Sequence, residues 1–145
     1  MTDRTEIEKL LNTAYEARKQ GDLDALCACF AENPVFRMAG AREASPIVVQ
    51  CTDAQTFRTL MHGFITTFEL VEQQILSRLI DGSKAAVHWR ARLRWTVSGD
   101  EVVTEFMDLL TIGGSKIQTM TEFSDTALAA KLMVGDIAWG DGNQA

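Results

Sequence analysis

Positive charge is scarce in this chain: 14 lysines and arginines stand against 20 acids, for a net charge of −6 at pH 7. Nucleic-acid binders draw much of their affinity from neutralising phosphates, so this balance argues against a general polyanion binder, and no nucleic-acid partner is expected. Long apolar runs are missing too. None approaches the roughly 20 residues that cross a bilayer as a helix, and the opening "MTDRTEIEKL" lacks the apolar core of a secretory signal. No membrane partner and a cytoplasmic location are therefore expected. Only three cysteines occur, Cys27, Cys29 and Cys51, an odd number read as reduced, partly buried thiols. The two histidines, His62 and His88, lie on separate segments, and Cys-x-Cys has no neighbouring histidine, so no metal constellation is visible. Glycine-rich phosphate loops, serine nucleophile elbows and Cys-His pairs are also missing, and no cofactor is expected.

What is present is the composition of an ordinary globule, 46% hydrophobic and 23% charged over 145 residues. That length suits one domain over 1–145, with a core at about 5–133 and a polar tail over 134–145 that carries Trp139. Thr5 followed by Glu8 reads as a capping box. Ile7, Leu10, Leu11, Ala14 and Tyr15 then fall at helical spacing until Gly21. Asp22 caps a second helix through Leu23, Leu26, Cys27 and Phe30, which Asn33-Pro34 breaks. A short strand is expected over 35–39, then a loop over 40–52 with an extended piece at 47–49. Thr52 or Asp53 caps a third helix whose Phe57, Leu60, Met61, Phe64 and Ile65 form one stripe. From Glu69 the period changes to two. Strands over 69–80, 85–97, 101–112 and 116–123 are joined by Asp81-Gly82, Ser98-Gly99-Asp100 and Gly113-Gly114. Asp125 caps a last short helix, "TALAAKLM". Helices followed by an antiparallel meander predict an α+β domain, with helices on one face of a curved sheet and the other face solvated or against a partner.

Three strings, "ARKQGDLDALCACFAENPVF", "EFMDLLTIGGSKI" and "TEFSDTALAAKL", carry a resemblance. Over about residues 5–133 the chain resembles the nuclear-transport-factor-2-like superfamily, in its ketosteroid-isomerase-like and SnoaL-like (polyketide-cyclase-like) branch. The resemblance implies a cone-shaped barrel: a strongly curved, mainly antiparallel sheet, three helices from the N-terminal half on its concave face, and a short C-terminal helix. It also implies a mostly apolar pocket, and a homodimer through the outer sheet face. Steroid isomerases of this fold use a carboxylate base, a tyrosine and a protonated aspartic acid. By the same resemblance the base position falls on Met38, which cannot accept a proton, so steroid-isomerase chemistry is not expected. The tyrosine position falls near Ala14, one residue from Tyr15. Asp108 matches the aspartic acid, and Glu122 falls on a cavity-facing position of the last strand.

The stretch "HWRARLRW", 88–95, now divides by alternation. With Trp89, Ala91, Leu93 and Trp95 toward the helices, His88, Arg90, Arg92 and Arg94 point outward. On the next strand Thr104, Phe106, Asp108 and Leu110 share one face. Since the resemblance places Asp108 inside, Glu105 joins the arginines outside, as an expected cross-strand or intersubunit ion pair on a dimer face. The opposite register would instead make the arginines an anion pocket.

Two carboxyls in an apolar pocket, Asp108 and Glu122, would resist joint ionisation and could divide the roles of acid and base. The plainer alternative is that they bond structural partners such as Tyr15, a tryptophan N–H or a buried water. Tyr15 and His62 complete the candidate catalytic set. Trp89, Leu93, Trp95, Phe36, Met38, Phe64, Phe106 and Met120 are expected to line the cavity and receive a small hydrophobic molecule. Two functions fit: a cofactor-independent isomerase, cyclase, dehydratase or hydrolase, or a non-catalytic ligand-binding or dimeric assembly module of the same fold.

Overall fold

The computed structural model describes residues 2–134; the expected polar tail and its Trp139 lie outside the described residues. Asp3, rather than Thr5, caps α1 (Arg4–Gln20). Its carboxylate accepts from the Glu6 N–H at 2.9 Å, and Glu6 accepts from the Asp3 N–H at 3.1 Å. The capping box thus forms two residues earlier than Thr5 and Glu8 predict, on the better capping side chain of the two. Gly21 closes α1 at φ 71°, a left-handed position that suits glycine.

After α2 (Leu23–Ala28), capped by Asp22, the chain turns extended sooner than Pro34 requires. β1 (Phe30–Met38) begins at Phe30 because that residue already pairs with the last strand, and Pro34 is absorbed where the pairing shifts register between Phe30 and Val35. The extended piece expected at 47–49 is instead the two-residue β2 (Gln50–Cys51). α3 (Ala54–Thr67) is capped by Asp53, whose carboxylate accepts from the Thr56 N–H at 2.8 Å. The meander follows as β3 (Phe68–Asp81), β4 (Lys84–Trp95), β5 (Glu101–Gly113) and β6 (Lys116–Phe123), and α4 (Thr126–Val134) ends the described chain.

These strands form one α+β sheet in the order β2-β1-β6-β5-β4-β3, antiparallel throughout except for the parallel β1–β6 pair. β2 and β3 are its edges, so the sheet stays open among the described residues: no ladder joins the two-residue edge to the fourteen-residue one. Burial along β4 alternates as "HWRARLRW" predicts. Val87, Trp89, Ala91, Leu93 and Trp95 are buried against Ile7 and Leu11 of α1 and Phe57 and Met61 of α3 in one core. Each large side chain removed from water there contributes roughly 1.5–3 kcal/mol.

The other face of β4 is laced with pairs inside the chain. Arg94 meets Glu69 at 2.7 Å and Glu101 at 3.8 Å, Arg92 meets Glu72 at 3.7 Å, and Arg90 donates to Gln74 at 2.6 Å. Glu105 does not pair with an arginine, although its Cα lies opposite Arg90; it pairs with His88 at 2.6 Å. The arginines lean instead toward β3, the edge strand that carries the acids. Val103, Met107, Leu109 and Phe123 remain exposed. Among the described residues, no helix is long and apolar enough to cross a membrane.

Candidate functional site

Between the helices and the inner sheet face lies a pocket with a volume of about 90 Å³. That is room for several waters or a compact organic group. Its wall is mostly apolar, with Phe36 and Met38 from β1, Met61 and Phe64 from α3, Trp89 and Leu93 from β4, Phe106 from β5 and Met120 from β6. Leu128, Ala129 and Leu132 of α4 close another side. Into this wall α1 delivers Tyr15 and Arg18, three residues apart and therefore on one helical face, while β5 and β6 deliver Asp108 and Glu122.

Asp108 and Glu122 are direct cross-strand partners. Asp108 has no exposed surface. Its Oδ2 accepts two hydrogen bonds, one from the Tyr15 hydroxyl and one at 2.8 Å from the Trp89 indole N–H. Its Oδ1 has no partner at ordinary hydrogen-bond distance. The indole is held in turn by Phe106 stacked at 4.2 Å and by the Tyr15 ring meeting it edge-on at 5.8 Å. Glu122 is half-buried and opens onto the pocket.

Burial pushes both carboxyls above their ordinary range, most strongly at Glu122. For Asp108, bonds from Glu122, Tyr15 and Trp89 pull back against that rise. At Glu122 the negative charge and hydrogen bonding of Asp108 add to burial, and Arg18 opposes them. A proton held by the pair therefore rests mainly on Glu122, while the two donors favour the anion at Asp108. Tyr15 is held well above the usual tyrosine range by burial and by the same Asp108 charge, so it stays a neutral donor.

The structure brings three of the four candidate catalytic residues together, Tyr15, Asp108 and Glu122, and leaves out the fourth. His62 is exposed on α3 and does not line the pocket, because it falls on the helix face opposite Phe57 and Met61. Of the expected lining residues, Trp95 is the exception. It is buried against Phe68, with ring centroids 5.1 Å apart, at the end of β4, and is not part of the pocket lining. Both the structural partnership and the paired carboxyls expected of Asp108 are present at once.

Sequence reasoning missed Arg18. It sits one turn after Ala14 and Tyr15 on the stripe begun by Ile7 and Leu11, a spacing that marks it as inward-facing. Its position near the helix end, beside Lys19 and Gln20, makes it look like surface. Burial lowers its pKa to about 10, with Glu122 working the other way. Also missed was Ser124, whose buried Oγ in the pocket wall has no hydrogen-bond partner.

With this geometry in hand, comparison places the chain among known proteins. A family model described as a SnoaL-like domain matches residues 11–120. No curated protein matches the sequence. A crystal structure described as that of a proposed isomerase from Rhodopseudomonas palustris superposes with a TM-score of 0.75 at 11% identity, covering 93% of this chain and 99% of that one. An epoxide hydrolase of M. tuberculosis, described as LEH-like, gives 0.70 at 15% identity over 95% and 97%. A proposed polyketide cyclase from Xanthomonas campestris gives 0.67 at 14% identity over 83% and 90%. At these identities the likeness is one of fold.

Proposed function

The chain belongs to the SnoaL-like domain family, and on that premise we propose that its pocket binds a small, mostly apolar molecule and performs proton transfer on it without a cofactor. The observation that carries this is a fully buried Asp108, bonded through one oxygen to Tyr15 and Trp89 and set directly opposite Glu122 in the pocket wall. Glu122 is the member that meets the ligand. Asp108, which has no exposed surface, is a positioning residue: its charge favours a proton on Glu122, which acts as general acid. Once the proton has been given up, Arg18 steadies the Glu122 carboxylate, and the return of a proton restores the pair. Tyr15 and Trp89 hold Asp108 in place throughout.

Such an acid serves an isomerisation, cyclisation, dehydration or hydrolysis. Neighbours of the same fold described as a proposed isomerase, an epoxide hydrolase and a proposed polyketide cyclase lend support to that range. In this reading the open sheet curls round the pocket as a cone. Support comes from the lining, to which all four helices and every strand but β2 contribute. The outer face carrying Arg90, Arg92, Arg94 and Glu105 is read as a homodimer contact, supported by the exposed Val103, Met107, Leu109 and Phe123 among them.

Carboxyl carbon NMR tests the acid. Glu122 should titrate well above the ordinary value of roughly 4. Titration of both Asp108 and Glu122 near that value would remove the basis for acid catalysis and leave a non-catalytic binding module.

A further inference from the structure

Among the described residues, Arg18 is the one cationic side chain in the pocket wall, and its structural role uses only part of it. Its Nη2 donates to the Phe68 carbonyl at 2.8 Å and the Phe64 carbonyl at 3.4 Å, at the C-terminal end of α3. These are carbonyls that a helix end leaves without partners, and a cation there is favoured by the helix dipole. Both bonds are made by one nitrogen of the guanidinium. The guanidinium has five N–H donors, so those on Nε and Nη1 remain. Arg18 makes no other hydrogen bond and no ion pair with a carboxylate of the described residues, and neither nitrogen is sealed inside the protein. The carboxyl that acts on it electrostatically, Glu122, is the one to which the proposed function assigns the shared proton. A half-buried positive charge is thus left in the wall of an apolar pocket without a full counter-ion, and an anion in the pocket would supply it.

We propose that Arg18 makes this pocket a receptor for carboxylate-bearing small molecules, with the apolar body against Trp89, Phe106 and Phe64 and the carboxylate on the free N–H groups of Arg18. This rests on the reading of the same pocket as a ligand site and adds the substrate class. Guanidinium is matched to carboxylate in geometry and charge, and such bonds are among the strong ones once water is excluded. The ligand anion supplies the missing counter-ion. It also places a second negative charge near the carboxyl pair, so the shared proton is held more firmly on Glu122 while the ligand is bound.

The test pairs each acid with its uncharged amide of the same shape: isobutyrate with isobutyramide, and the larger phenylacetate with phenylacetamide. Binding is followed by tryptophan fluorescence and by NMR. The wild-type protein should bind at least one acid roughly tenfold or more tighter than its amide. Arg18→Gln, which removes the charge, should lose that preference. A measurement that needs no variant accompanies these: the Arg18 Nε–H resonance should move on adding the acid and stay put with the amide. Equal affinities, a preference that survives Arg18→Gln, or no binding of either pair would overturn the proposal. Carboxyl titration separates the two readings. An ordinary Glu122 pKa with the acid preference intact removes only the acid catalyst, and a raised Glu122 pKa with no preference removes only the anion subsite.

Discussion

Tyr15 and Asp108, 93 positions apart in the chain, are joined by a hydrogen bond from the phenol hydroxyl to Oδ2 inside a sealed part of the pocket wall. The bond ties α1 to β5 and fixes the carboxyl that faces Glu122.

Tyr15→Phe removes that donor without changing the ring. The bond from Tyr15 lowers the Asp108 pKa, so its loss should raise it. Asp108 Oδ2 then keeps only the Trp89 donor, at a cost of about 1–3 kcal/mol in unfolding free energy. Urea titration reads the stability and carboxyl NMR the shift; an unmoved Asp108 signal would count against the bond.

Asp108→Asn keeps the shape and deletes the charge opposite Glu122. Because that charge raises Glu122, the Glu122 titration should fall, although burial still holds it above the ordinary carboxyl range. Turnover on any substrate found for the pocket should fall with it, since a smaller share of Glu122 would carry the proton. A Glu122 titration that stays where it was in the wild type would mean that the two groups do not share a proton.

The same shift has a consequence for stability. A carboxyl whose pKa is higher folded than unfolded binds more protons in the folded state, so its contribution is complete below the unfolded pKa and is lost as pH rises through the folded one. Glu122 is such a group. Glu122→Gln, which cannot ionise, should therefore flatten the decline in stability above about pH 4.5. Relative to wild type, the variant should gain most at alkaline pH. Chemical denaturation at a series of pH values shows this, and parallel curves for the two proteins would refute it.

On the outer face, Arg92→Glu places a like charge beside Glu72 and reverses the sign of the central arginine. As a pair 3.7 Å long and largely in water, the contact with Glu72 contributes little to the stability of one chain. If the face is a dimer contact, sedimentation should give a dimer for the wild type and a smaller mass for the variant. A wild-type monomer, or the same mass for both, would rule out that use of the face.

Much of this was legible in the chain. Alternation in 85–95 marked which side of β4 is buried, because strand geometry sends neighbouring side chains to opposite faces and only one face of this sheet meets helices. Asp22, Asp53 and Gly21 marked helix ends for equally local reasons, the needs of unpaired amides and of a left-handed residue. Where local signals competed, the choice went elsewhere: Pro34 argued for a break, but pairing with β6 drew the whole of 30–38 into a strand.

The sequence by itself determined the α+β class and the division of β4 into an apolar and a charged face, since these follow from periodicity and turn chemistry within a few residues; the placing of Asp108 and Glu122 inside came from the family resemblance. Only the tertiary structure decided what those carboxyls do. The bond from Tyr15, the indole of Trp89, the exclusion of His62 and the turn of Arg18 into the pocket all depend on how α1 and α3 lie across the sheet. A side chain's pKa and partners are set by what surrounds it in space, and for Asp108 most of that surrounding comes from other elements of the fold.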